Sequence, residues 1–71
     1  MDVRQLAALV AIADHGTFSA AARSLFTVQS NVSSHISRLE KELGVTLVDR
    51  SQGALTDDGL RVVERARRIL H

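Results

Sequence analysis

Apolar residues recur with a helical period over most of the chain. Leu6, Leu9, Val10 and Ala13, widened by Val3 and Ile12, predict a first helix from about Val3 to Asp14. Gly16 closes it, where a positive φ is easily held. Thr17-Phe18-Ser19 restarts the chain, and Ser19 is the expected N-cap of a short second helix through about Leu25. Ala20, Ala21 and Ala22 on one turn permit a crossing helix to come close. Val32, Ile36, Leu39 and Leu43 form the stripe of a third helix over about 28–43, with Thr27 able to reach the amides of Gln29 or Ser30 as its cap. Gly44 ends that helix.

The period then changes. Val45 to Arg50 is β-prone, Ser51-Gln52-Gly53 is turn-like, and Ala54-Leu55-Thr56 can return as a second strand. A ribbon this short must lean on the helices to persist. Thr56 is a cap for a fourth helix, with Asp57 and Asp58 in its positive first turn. Its apolar positions are Leu60, Val62, Val63, Ala66, Ile69 and Leu70, and it runs to the end of the chain. The few residues between the second and third helices force a sharp angle, as in a helix-turn-helix. The expected fold is therefore mainly α: a winged helix-turn-helix with a three-helix core, a short two-stranded β wing and a C-terminal linker helix. Residues 1–57 form the winged domain in this reading, and residues 58–71 begin a linker or dimerisation helix.

Bulk properties narrow the classes without choosing among them. A length of 71 residues gives one small domain, and the absence of cysteine removes disulfides and thiolate metal sites. No apolar run approaches membrane-spanning length and the N-terminus is not a signal peptide, so a cytoplasmic protein with no membrane partner is expected. The net charge of +1 neither demands nor excludes a phosphate partner. His15, His35 and His71 are scattered over different elements, without metal-ligand spacing. Asp57-Asp58 reads as a helix N-terminus pair, and the serines of the third helix have neither a glycine elbow nor a base partner. Neither an enzyme nor a cofactor is expected.

Candidate chemistry gathers on the third helix. Opposite its apolar stripe lie Ser30, Ser34, Ser37 and Lys41, with Ser33 and Arg38 on the flanks. Serine holds a helix less well than Glu, Lys or Gln, so short hydroxyls here suit a face that approaches another surface closely, as a recognition helix does in a DNA groove. A merely solvated face is the alternative.

The residues also carry a family resemblance. Leu6 through Ala11, Gly16-Thr17-Phe18-Ser19, Ala21-Ala22, Leu25, Gln29, Val32-Ser33, Ile36, Arg38-Leu39-Glu40, Glu42-Leu43-Gly44, Leu47, Arg50, Leu55-Thr56 and Gly59 stand in order at matching spacings. Over essentially its whole length the chain resembles the N-terminal DNA-binding domain of LysR-type bacterial transcription regulators. That resemblance implies a dimer on double-stranded promoter DNA, with the third helix in the major groove, the wing at the adjacent minor groove and the fourth helix pairing with its mate. Carried over by position, Gln29, Ser30, Ser33 and Ser34 are the base-reading candidates; a glutamine amide suits the adenine edge. Arg4, Ser19, Asn31, Arg38 and Arg50 are the candidates for phosphate. Val62, Val63, Ala66, Ile69 and Leu70 are the dimerisation candidates, and His35 is expected to be packed or solvated.

Departures from the family pattern also matter. Ser30 replaces a frequent proline, Val28 a capping hydroxyl and Ser34 a frequent arginine, while the wing is shorter and has no basic tip. These changes sustain an alternative reading, a winged-helix module for protein–protein contact with a vestigial DNA face. The resemblance also implies a small-molecule effector bound by a C-terminal domain outside these residues, so the chain is expected to be a fragment of a longer regulator.

Overall fold

The helical order expected from the periodicity is present in the computed structural model, which describes residues 1–70. Four helices, α1 (Val3–His15), α2 (Phe18–Ser24), α3 (Gln29–Leu43) and α4 (Asp57–Leu70), enclose a ribbon of β1 (Val48–Asp49) and β2 (Ala54–Leu55) between α3 and α4. The strands are antiparallel, with Val48 opposite Leu55 and Asp49 opposite Ala54. The last helix starts at Asp57, directly after the expected cap at Thr56, and His71 lies outside the described residues. No described helix is long and apolar enough to cross a membrane.

α1 is the element on which the others pack, since it touches α2, α3 and α4. Asp2 caps it: its carboxylate accepts from the Gln5 amide at 2.9 Å, and the Gln5 side chain accepts from the Asp2 amide at 3.2 Å. Leu6, Leu9 and Ile12 of α1 meet Ala21 and Ala22 of α2, Val32, Ile36 and Leu39 of α3, and Val63 and Ala66 of α4 in one buried cluster. Leu43 ends the α3 stripe outside that cluster, exposed where the helix runs out at Gly44.

Two expected caps are corrected. Thr17, not Ser19, caps α2: its hydroxyl accepts from Ala20 and its carbonyl from Ala21, both at 3.0 Å. Ser19 is already inside the helix and accepts from Arg23 at 3.3 Å. Thr27 does not cap α3. Its hydroxyl accepts from the Asn31 side chain at 2.8 Å, and Val28 holds the N-cap position with no side-chain bond to the helix amides.

The turn into α3 has an unexpected conformation. Leu25 caps α2, Phe26 donates to the Arg23 carbonyl and Thr27 to the Ala22 carbonyl, which is the Schellman arrangement. Phe26 occupies its left-handed position, φ 56°, where glycine is usual, and the residue is 97% exposed. The strain, about 1–2 kcal/mol for a residue with a Cβ, is offset by the two carbonyls the turn satisfies.

The ribbon is anchored by the backbone of Leu47. Its amide donates to the Glu40 carboxylate at 2.7 Å, with the Val48 amide at 3.2 Å from the same oxygen. Its carbonyl accepts from the Thr56 amide at 3.0 Å. The Thr56 hydroxyl donates to the Thr46 carbonyl at 2.6 Å and accepts from Gly59 at 3.0 Å, so it caps α4 as expected. Gly59 presses on that same Leu47 carbonyl, and a Cβ there would collide with it.

Two stability results should follow. Glu40→Ala strands the buried Leu47 amide and should cost about 1–3 kcal/mol in denaturant unfolding, with Glu40→Gln milder because an acceptor remains. Gly59→Ala, which would gain about 1 kcal/mol in an open helix, should instead lose about 1–3 kcal/mol here through overpacking. A neutral Gly59→Ala would show that α4 can move away from Leu47 freely.

Stability should also respond to acid. The Gln5 amide holds the Asp2 carboxyl below its usual value of 3.8, the Arg67 guanidinium does the same for Asp14, and the Ser51 hydroxyl for Asp49. A carboxylate with a depressed folded pKa stabilises fully above its unfolded value and loses that contribution as pH falls through the folded one. The melting temperature should therefore decline below pH 3.8, the unperturbed value of all three groups. The wild-type and Asp14→Asn curves should converge there; parallel curves down to low pH would mean the Asp14–Arg67 pair contributes nothing.

Candidate nucleic-acid interface

Burying Val32, Ile36 and Leu39 turns the opposite side of α3 outward, and with it Gln29, Ser30, Asn31, Ser34, Ser37, Arg38 and Lys41 are all exposed. Ser33 is half-buried at the edge of this face. With no side-chain cap at Val28, the first amides of α3 carry the helix's partial positive charge at an exposed chain end.

The phosphate candidates spread around this face. Arg38 extends it. Arg4 stands on α1, lining a shallow groove of about 360 Å³ with Leu25, Thr27, Asn31 and His35, which brings it beside the first half of α3. Its only ion pair among the described residues is a loose 3.9 Å contact to Asp2. Asn31 has one amide proton engaged by Thr27 and keeps its carbonyl oxygen. Ser19 lies exposed on α2 beside Arg23.

Arg50 is placed differently from a free phosphate arm. It leaves the end of β1 and turns back onto α3, donating to the Ser33 hydroxyl at 2.6 Å and to the Ser37 hydroxyl at 3.0 Å. Its guanidinium carbon stands 5.0 Å from the centre of the Phe18 ring. The wing turn beyond it is closed by Asp49, whose carboxylate accepts from the Ser51 hydroxyl at 2.6 Å and the Ser51 amide at 3.1 Å.

The dimerisation candidates divide. Val63 and Ala66 are buried in the domain's own core, which corrects the expectation that they meet a partner. Val62 and Leu70 are half-buried against the core, and Ile69 is 59% exposed. Val62 and Ile69 are seven residues apart and so share one edge of α4. Among the arginines of α4, Arg61 pairs with Asp58 at 2.9 Å and Arg67 with Asp14 at 2.7 Å.

Sequence reasoning missed two residues with a role here. Glu40 fixes the wing to α3, and Phe26 projects from the turn that leads into it. In the sequence Glu40 figures only within the Arg38-Leu39-Glu40 stretch of the family resemblance, with no partner marked for it, and no local signal marks a phenylalanine for a left-handed turn position.

A sharp two-helix turn, an exposed polar α3 and a braced ribbon before α4 define the class, a winged helix-turn-helix domain. A family profile described as bacterial regulatory helix-turn-helix protein, lysR family, matches residues 3–60. The chain belongs to the LysR family. It is 41% identical over 73 residues to the HTH-type transcriptional regulator ClcR of Pseudomonas putida, covering 100% of this chain and 25% of that protein. It is 40% identical over 72 residues to the DNA-binding transcriptional dual regulator OxyR of Escherichia coli K12, covering 99% of this chain and 24% of OxyR. The chain thus spans about a quarter of the length of these relatives.

Solved structures agree in fold. A crystal structure of the CbnR DNA-binding domain with DNA is similar with a TM-score of 0.92 at 40% identity, covering 99% of this chain and 83% of that one. The BenM DNA-binding domain in complex with benA site 1 DNA gives 0.91 at 33% identity, covering 99% of this chain and 81% of that one.

Proposed function

We propose that this LysR-family domain reads double-stranded promoter DNA as part of a cytoplasmic transcription regulator rather than an enzyme. The observation that carries the proposal is the outer face of α3, where amide, hydroxyl and cationic groups replace apolar ones while the opposite face is locked in the core. The likeness to the CbnR and BenM complexes supports it.

In this reading α3 enters the major groove. Gln29 offers the paired donor and acceptor that match adenine, and Ser30, Ser33 and Ser34 reach neighbouring base edges. Arg4, Arg38, Asn31 and Ser19, with the uncapped start of α3, meet phosphates and set register. Serine at position 34 leaves that position of the groove face without a guanidinium, so base discrimination there falls on a short side chain. A small-molecule effector belongs to parts of the regulator beyond these residues, and the domain itself is assigned no cofactor.

Fluorescence anisotropy with labelled duplexes tests this. Binding should weaken steeply with KCl as counterions are released, and Gln29→Ala should lose about 1–3 kcal/mol of discrimination while leaving the salt slope unchanged. Undetectable binding at low salt would remove the DNA reading in favour of a protein-contact module.

Two copies are proposed to pair along α4 through the edge formed by Val62 and Ile69, next to Leu70. Sedimentation should show a dimer that Ile69→Asp converts to monomer. Because Ile69 is exposed, that change should leave the melting temperature of the fold nearly unaltered. A dimer that survives it uses another surface.

A further inference from the structure

Three elements meet at one cation. Arg50 comes from the wing, Phe18 from the first position of α2, and Ser33 and Ser37 from successive turns of α3. The second guanidinium nitrogen also lies 3.4 Å from the Ser33 carbonyl. A fork of fixed geometry is therefore turned inward and stacked on a ring, an arrangement that lysine's point charge cannot reproduce.

This arrangement decides what the serines can offer. A hydroxyl has one proton to donate and two lone pairs to accept. An arginine N–H takes one lone pair and, being charged, favours donation of the remaining proton. Among the described residues neither Ser33 nor Ser37 donates to a carbonyl of its own helix, whereas the Ser24 hydroxyl donates to Ala21 at 2.7 Å. The Ser33 proton is consequently free for the outer face of α3. In a major groove its partners would be acceptors: guanine O6 and N7, adenine N7 or thymine O4.

We propose that Arg50 is a positioning residue, which clamps Ser33 and Ser37 so that Ser33 enters the groove as a hydrogen-bond donor and selects an acceptor edge at one base position. The inference rests on the DNA-reading proposal above. It replaces the direct phosphate contact that the family position of Arg50 implied, because three of its five N–H donors are turned onto Ser33 and Ser37.

The test uses a randomised duplex pool, from which the 71-residue chain and its variants select bound sequences. The enriched duplex is then titrated at several KCl concentrations. Arg50→Gln and Ser33→Ala should lose preference at the same base position, each by about fivefold. Arg50→Lys should not restore it, and Ser37→Ala, which removes one anchor, should lose about twofold at that position. The log–log salt slope of Arg50→Gln should equal that of the wild type. Should Arg50→Gln fail to fold by circular dichroism, Ser37→Ala decides, and an unchanged preference in it would overturn the inference.

A slope shallower by about 0.9 with unchanged preferences would make Arg50 a phosphate contact and overturn the inference. Unchanged slope and unchanged preferences in Arg50→Gln would reduce the clamp to a passive brace, again overturning it. A wild-type chain that enriches no sequence would instead defeat the DNA reading, and the inference with it.

Discussion

The backbone of Leu47 is the constraint on which the rest depends. Its side chain is fully buried, its amide is held by Glu40 of α3, and its carbonyl takes the Thr56 amide while Gly59 of α4 rests against it. A two-residue strand pair could not survive in water alone. Here the ribbon is suspended between two helices by a charge-assisted bond on one side and a side-chain-free contact on the other. The wing takes its position relative to α3 from this point, and the start of α4, which packs along α1, is tied to the wing there.

Fixing α3 in this way releases most of its outer surface from packing, leaving Ser33 and Ser37 to hold Arg50 and Asn31 to bond Thr27. Serines that would weaken an isolated helix are tolerated because Val32, Ile36 and Leu39 supply tertiary packing on the other side. The helix also dispenses with a side-chain cap, which leaves its positive end open to an anion. The turn before it accepts a strained phenylalanine for the sake of two satisfied carbonyls. Local stability is conceded along the whole face proposed to meet DNA, and the core of α1 and its neighbours compensates.

Charge is used sparingly, which explains how a domain of net charge +1 can be proposed to bind a polyanion. Several arginines are engaged within the fold: Arg61 with Asp58, Arg67 with Asp14 and Arg50 with two serines. Arg4, Arg38 and Lys41 remain exposed around α3. The sum over the chain hides this division between cations spent on architecture and cations turned outward.

The amino-acid order alone determined the helix sequence, the stops at Gly16 and Gly44, the Thr56 cap and the polar face of α3. Each is encoded within a few residues, by a period, a left-handed glycine or a hydroxyl three positions from an amide. Only the tertiary structure decided between near-equivalent local options. Thr17 and Ser19 can both cap α2, and Thr27 could reach either the α3 amides or Asn31. Val63, Ala66 and Ile69 are alike in sequence, yet packing buries the first two and leaves the third exposed. Glu40 and Arg50 acquire their roles from partners seven to seventeen residues away. A long charged side chain can satisfy many acceptors or donors, so its partner is set by which distant segment folding brings within reach.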